Sequence, residues 1–597
     1  MTQPGARDEV LGYYQRELAY LRNAGQEFAQ SFPKVASRLE LGPDESSDPH
    51  VERLIESFAF LTGRVQRSID QAFPRMTDAL LGLLYPQLAA PQPAASVVRL
   101  HAEAVAPSGL TVPRGAMLSA HTADGLRCRF RTCYETTLWP VRPGTTELRT
   151  SDAWSFLDHD PAAAVLRLPL MIEEAAAAAI GGQTLRLYLG GAAAAAARLH
   201  DVLLAGCDRI AFLPEGGVPI LSPVAQALRP VGYAPTETLL PDACRVHPAY
   251  ALLRDYFAFP DKFRFFDLAV PPLPSCTRLD VLFLLPVPPG ALPLSADSVM
   301  LGCTPVVNLF EQVAEPIRLD HRRTEYRLVP DLRLEPVMEV HSVTAVRGWN
   351  AEADSWHDLR PHFTIDGTAE APRQASWLMR RSPAAAGGMG GSDAWLSFVD
   401  PALQAAQPAE RIILAHCLCT NRHLAEQVPA GARLDFDEPA GGARATCIAR
   451  PSPPRAAPIG GETAWRLVSH LGLNYLTLSG GPDALAALRE TLLLHAEADD
   501  AAARQQVLGL REMTCRRVTR RIGTGVRSAL AQGLAVDITC DERRFAGGSA
   551  LMLGAVLDRF LALQASVNAF TQLTLHSQQR NGIWYAWPPR TGAAPLL

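Results

Sequence analysis

Lysine is almost missing from this 597-residue chain: of its 56 basic residues only Lys34 and Lys262 are lysine. Arginine, with its planar fork, favours bidentate pairing with carboxylates within or between subunits. A genome rich in G and C, which also accounts for the alanine excess, explains the same bias without any such design. A large charge of one sign is missing too, since the formal net charge is only −5, and no electrostatic case for nucleic acid follows. Nor is there a cysteine framework. The eleven cysteines are scattered with no Cys-x-x-Cys pair, the pattern of reduced thiols in a cytosolic protein. No apolar run approaches the roughly 20 residues of a membrane span. The alanine runs at 175–179 and 192–197 are short and lie near charges. The start, Met1 to Glu9, has no apolar core of the kind a signal peptide needs, so no direct membrane insertion is expected.

Hydrophobic residues make up 48% and charged residues 20%, the mix of a globular protein. The length exceeds what one core serves, so several domains are expected. The first of them, 1–93, is patterned as helix. Leu11, Tyr14, Leu18, Leu21, Gly25 and Phe28 repeat at alternating steps of three and four, the spacing of helices that associate side by side, and Pro33 stops the run. A second segment opens at Asp48-Pro49, a capping acceptor followed by a proline at the first helical position, and continues through Val51, Leu54, Phe58, Leu61 and Val65. A third runs from Met76 to Leu84 and ends at Pro86. Two such seams in tandem are more often the private core of a helical hairpin than a partner interface.

Beyond Pro91-Gln92-Pro93, short alternating segments such as Val97 to Leu100 and Cys128 to Thr132 predict a β-rich domain over 94–230, ending in a Pro- and Gly-punctuated stretch. A second β-rich domain, 231–460, begins with a helix carrying Tyr250, Leu253, Tyr256 and Phe257 and closed by Pro260. It contains a low-complexity Ala-Gly insertion at 384–391. The last block, 461–597, alternates type: a leucine-rich helix with Leu485, Leu488 and Leu492, a strand with Leu534, Val536, Ile538 and Cys540 on one face, and a hairpin at Asn581-Gly582. The expected fold class is multidomain α+β, with an N-terminal helical region, two β-rich domains and a C-terminal α/β region.

The residues that invite a chemical reading do not support one. His416, Cys417, Cys419 and His423 offer four soft ligands, but on a strand Cys417 and Cys419 share a face that His416 leaves, and structural zinc sites draw on two separated pairs. Ser469-His470 lacks a Gly-x-Ser-x-Gly elbow, and its adjacent side chains diverge. Asp541-Glu542 is followed by Arg543-Arg544, and neutralised carboxylates are poor proton shuttles. The glycines at 387–391 lack the Lys-Ser/Thr of a phosphate loop. No catalytic, cofactor-binding or metal-binding residues are assigned, and a cytosolic hydrolase is the rival reading of a different class.

Long ordered strings then carry a resemblance. They are Tyr13 to Arg22, Phe32 to Ala36, Asp48 to Leu54, Leu84-Tyr85-Pro86, Leu252 to Phe263, Cys303 to Phe310 with Ala314 to Ile317, Trp465 to Leu471 with Leu473 to Leu476, Phe545 to Gly548, Asn568 to Leu573 and Trp587 to Arg590. Through them the chain resembles the TssF family, also called VasA or ImpG, of the type VI secretion system baseplate. Val112 to Ala116 with Cys128 to Thr132 is also similar to a pattern in phage tail baseplate proteins, which keeps a phage or phage-derived baseplate protein as the alternative. The alanine-rich stretch and the 384–391 insertion depart from the family and fall in expected loops.

The resemblance implies a structural, non-enzymatic role: two TssF copies with one TssG in a wedge, TssE and TssK attached, and wedges closing into a ring. The ring would sit on the cytoplasmic side of the inner membrane, contact the membrane complex, and seed tube and contractile sheath around a spike hub. On this footing Tyr14, Leu18, Leu21, Phe58 and Leu61 are candidate interface residues, buried in part by other chains. Trp465, Tyr475, Trp587 and Arg590 are candidate anchors, with core packing the competing expectation for both tryptophans.

Overall fold

The structure, a computed structural model, describes residues 6–36, 48–84, 88–241, 248–320, 322–350, 354–362, 376–384, 390–399, 410–459, 484–496, 500–522, 529–565 and 569–592. Helix and strand are mixed over several packing units. Asp48 caps the long helix Pro49–Leu84, its carboxylate accepting the His50 amide at 2.8 Å, while Pro49 stands where no amide is needed. The helix continues through Pro74, so the segments expected at Asp48 to Val65 and Met76 to Leu84 are one element. It pairs antiparallel with Ala6–Ser31: Tyr14 lies against Gly63, and Arg22 reaches Glu52 at 2.6 Å.

A closed barrel follows, with Ala95–Ala102, Cys303–Val307, Arg127–Thr132, Met117–His121, Arg433–Phe436 and Ala443–Cys447 in that order around the ring. Alternate residues point inward, as the strand period requires, so Val98, Leu100, Cys128, Phe130, Leu434 and Ala445 fill it. The strands come from both stretches expected as separate β-rich domains, and the barrel therefore crosses the boundary at 230/231. The barrel carries two insertions, and the first of them spans that boundary as well. The first leaves after Thr132 and returns at Cys303, its ends held together by the Cys133 amide on the Pro305 carbonyl at 2.8 Å.

That insertion is a sandwich. One sheet runs Ile220–Pro223, Arg209–Pro214, Arg278–Leu285, Ala164–Ile172, Val141–Pro143, and the other runs Leu228–Pro230, Phe265–Ala269, Thr184–Leu189, Val299–Leu301. Leu166, Leu168, Leu187, Phe212, Val281 and Phe283 pack between them. The alanine-rich stretches are the helices Glu174–Ile180 and Ala193–Asp201, not loops: Ala176, Ala177, Ala196 and Ala197 are buried, and their small side chains allow close approach to the sandwich. A second insertion, between Val307 and Arg433, packs Phe310–Val313, Ile412–Thr420, Glu339–Asn350 and Ser355–Leu359 against Glu325–Leu328, Ser392–Val399 and Ser376–Pro383.

The C-terminal region orders Leu510–Ile522, Ala529–Cys540, Ala569–Ser577 and Ile583–Ala586 in one sheet. Its middle strands are parallel, joined by the helix Ala550–Gln564. Leu534, Val536, Ile538 and Cys540 bury on one face, and Gly582 supplies the positive φ of 82° for the final turn. The helix Pro248–Ala258 packs into this core with Leu253, Tyr256 and Phe257 rather than into the barrel.

Candidate assembly surfaces

Among the described side chains, two apolar stripes run along the first half of the long N-terminal helix, and only one of them is covered. Ala59 and Gly63 face the first helix; a Cβ on Gly63 would stand 3.2 Å from the backbone of Tyr13 and Tyr14, so glycine sets how closely the helices approach. Tyr14, Leu18 and Leu21 are half-buried on the first helix. The second stripe, Leu54, Phe58, Leu61 and Val65, is 69, 56, 56 and 58% exposed. Its steps of four, three and four are those of a side-by-side helix seam. Leu11, Phe28 and Phe32 add exposed apolar surface on the first helix and just after it. Both readings of the periodicity thus have residues of their own: a hairpin contact inside, an open seam outside.

Trp465 and Tyr475 lie outside the described residues, as does Ser469-His470. Trp587 is 3% exposed. Its ring packs at Gly554, where a Cβ would meet it at 2.6 Å, and against Tyr585, edge to face at 4.7 Å. Those contacts match the core-packing alternative rather than an anchor offered to a partner. Arg590 clamps the terminal strand to the Ala550–Gln564 helix by an ion pair with the fully buried Asp558. Burial pushes the Asp558 carboxyl above its usual range, with Arg590 working the other way.

One polar site escaped the sequence reading. Lys262 and Asp255 are both fully buried, 2.6 Å apart. Lys262 also donates to the Glu237 carbonyl at 2.9 Å, while Asp255 accepts from the Leu239 amide at 3.0 Å and from Arg254. Burial alone would favour the neutral acid, but Lys262, Arg254 and that amide hold Asp255 below the usual carboxylate range. The Tyr134 hydroxyl donates to the Lys262 carbonyl at 2.9 Å, and the Glu237 carboxylate accepts the amides of Gly232, Tyr233 and Ala234. The string Leu252 to Phe263 is thus a structural junction between the barrel, the first sandwich and the C-terminal core. Its signal was available: one of only two lysines in a chain that otherwise uses arginine.

The chemical candidates sit as follows. Cys417 and Cys419 are buried on a central strand, and burial pushes the Cys417 thiol up to about 12; His423 pairs with Glu426 at 2.7 Å. Asp541 and Glu542 are neutralised chiefly from a distance, by Arg511 at 3.1 Å and Arg580 at 2.8 Å, rather than by the adjacent Arg543 and Arg544. Both carboxyls lie below their ordinary range, Asp541 through Arg511 first, Glu542 because Arg580 and Ser577 outweigh its burial. A cleft of about 820 Å³ beside them, between the first sandwich and the C-terminal region, is lined by Arg198, Asp201, Glu542 and Arg580. Among the described residues no group of three or more His, Cys, Asp or Glu is disposed to hold a metal.

Comparison with known proteins places this architecture. The family described as type VI secretion system, TssF, matches residues 6–594. Type VI secretion system component TssF1 of Pseudomonas aeruginosa strain PAO1 is 33% identical, over 98% of this chain and 99% of that one. A chain of the type VI TssK–TssF–TssG baseplate subcomplex, solved by cryo-electron microscopy, superposes with a TM-score of 0.73 at 26% identity, covering 92% of this chain and 99% of its own. A chain of the type VI baseplate complex shares the fold, with a TM-score of 0.59 at 24% identity over 98% of this chain and 100% of its own.

Proposed function

This chain belongs to the TssF family of the type VI secretion system baseplate, and from that premise we propose that it is a structural part of a baseplate wedge that assembles with TssG, TssE, TssK and a second copy of itself. In this reading the wedge ring docks on the cytoplasmic side of the inner membrane and is the platform for tube and contractile sheath. No catalysis is involved. The observation that supports it is the open seam Leu54, Phe58, Leu61 and Val65: four large apolar side chains more than half exposed along one helix face are what a subunit carries when neighbouring helices complete its packing.

Coexpression with the TssG of the same system tests the reading. Phe58→Glu and Leu61→Glu change exposed residues, so the chain should stay folded by circular dichroism while TssG copurification drops at least tenfold. Leu18→Glu, inside the hairpin contact, should reduce both. Undiminished copurification of the folded Phe58→Glu/Leu61→Glu protein would show that the outer seam is not where TssG binds.

A further inference from the structure

The strand Leu510–Ile522 is the terminal strand of its sheet and pairs only with Ala529–Cys540 among the described residues. At about 3.4 Å per residue its 13 residues make an edge roughly 44 Å long, with every second residue turning its amide and carbonyl outward. The start of the edge is occupied: Arg489 of the helix Ala484–His495 donates to the Leu510 carbonyl. Further along, Thr514, Arg516, Arg517, Thr519, Arg520 and Arg521 are exposed, and Arg516 keeps 71% of its side-chain surface open. Natural sheets blunt such edges with proline, bulges or short length. This strand has no proline, and its one irregularity lies at the covered end, between Leu510 and Glu512.

Charge protects it instead. Arg511 is matched by Asp541 at 3.1 Å and Arg516 by Asp537 at 2.6 Å, whereas no described carboxylate faces Arg517 or Arg520. Opposite residues of paired strands share a face. Arg517 stands across from Leu534 and Arg521 from the 78%-exposed Leu530, on the side of the buried Val536 and Ile538; Arg516 and Arg520 lie on the other side. Between 516 and 521 there are four arginines and no acid. Pairing this edge with a second copy of itself would set arginine against arginine, which is destabilising for directly opposed residues.

We propose that this edge is a docking strand for an extended acidic segment of a partner protein, which adds to the sheet by backbone hydrogen bonds and matches the arginines on both faces. The spacing of Arg517 and Arg520 specifies the segment: an acid opposite each of them, each flanked on its outer side by a second acid, with two β-branched or small residues between, so that Arg517 and Arg520 each meet a carboxylate while Val518 and Thr519 meet uncharged neighbours. The inference goes beyond the helical seam and does not depend on it.

The full chain and a fluorescein-labelled peptide, TVEEVTEEVT, test it by fluorescence anisotropy. The expected result is saturable binding at least tenfold tighter than that of TVEEPPEEVT, which has the same charge but lacks two backbone donors, and at least a tenfold loss in the Arg517→Glu/Arg520→Glu protein with its melting temperature retained. Equal binding of the two peptides would overturn strand addition in favour of simple charge attraction. Tighter binding of a single-stranded DNA decamer would make the surface a polyanion site. Undetectable peptide binding, or unchanged binding by the double variant, would overturn the proposal outright.

Discussion

His341 is buried on the strand Glu339–Asn350, its Nδ1 within 3.1 Å of the Ser342 hydroxyl and its Nε2 unpartnered. Burial first, and the nearby Arg381 guanidinium second, hold its pKa down to about 3. Arg381 cannot move away, because it donates to the Val340 carbonyl at 2.7 Å and to the His341 carbonyl. An unfolded chain protonates this histidine near pH 6.5, so between that value and about 3 the unfolded state binds the extra proton. Stability from this group is therefore complete above about pH 6.5 and declines as the solution is acidified. At pH 5 the loss amounts to about 2 kcal/mol. Chemical denaturation of the wild type and of His341→Met at pH 7.5 and pH 5 should show the wild type losing about that much more than the variant; parallel losses would remove His341 as the cause. The Lys262–Asp255 pair belongs to the same scale but acts differently. Each charge is buried, so deleting either leaves the other without its nearest partner, a change that destabilises by about 3–5 kcal/mol in comparable sites.

Among the elements, the N-terminal hairpin shows how two helical glycines differ in consequence. Gly63 is pressed against the backbone of Tyr13 and Tyr14, whereas a Cβ on Gly25 would meet nothing within 4 Å. Gly63→Leu should separate the helices, read as faster proteolysis between residues 6 and 84. Gly25→Ala should stabilise the first helix by roughly 0.5–1 kcal/mol through propensity alone. If Gly63→Leu is tolerated as well as Gly25→Ala, the hairpin contact is looser than its geometry implies. Elements with a local cause were legible beforehand: the Asp48-Pro49 start, the turn at Asn581-Gly582, and the alternation of Leu534, Val536 and Ile538. Elements whose identity depends on distant partners were not. The alanine helices have no apolar periodicity because most of their positions are alanine, and Pro74 concealed the continuity of Pro49–Leu84. The division of the hairpin residues into half-buried Tyr14, Leu18 and Leu21 and exposed Phe58 and Leu61 depends on which stripe of the long helix meets the first helix, which no spacing reveals. Likewise Trp587, followed by two prolines as a loop anchor would be, packs inside against Gly554.

For the whole molecule, the governing fact is that units with their own cores are inserted within the barrel. The two sandwiches have separate cores, whereas the C-terminal core recruits the helix Pro248–Ala258 from the middle of the chain. Side chains tie these units together, among them the Tyr256 hydroxyl on Gln506 at 2.9 Å and the Arg559 guanidinium 4.0 Å from the Tyr233 ring centroid. Such a chain should not unfold in one step. Scanning calorimetry should give a calorimetric enthalpy larger than the van't Hoff enthalpy, and equality of the two would mean that the ties couple all cores into one cooperative unit. The barrel also has a consequence in time. Its first strand, Ala95–Ala102, pairs with Ala443–Cys447, so the ring cannot close on a ribosome until some 340 further residues have been made. At about 5–20 residues per second that is a wait of roughly 17–70 s. During it the hairpin with its open apolar face is already outside the exit tunnel, and the strand that will be sealed last is among the earliest to appear. Synthesis therefore presents the apolar face before the body that carries it, so that on the proposed wedge reading a partner is captured while the chain is still growing.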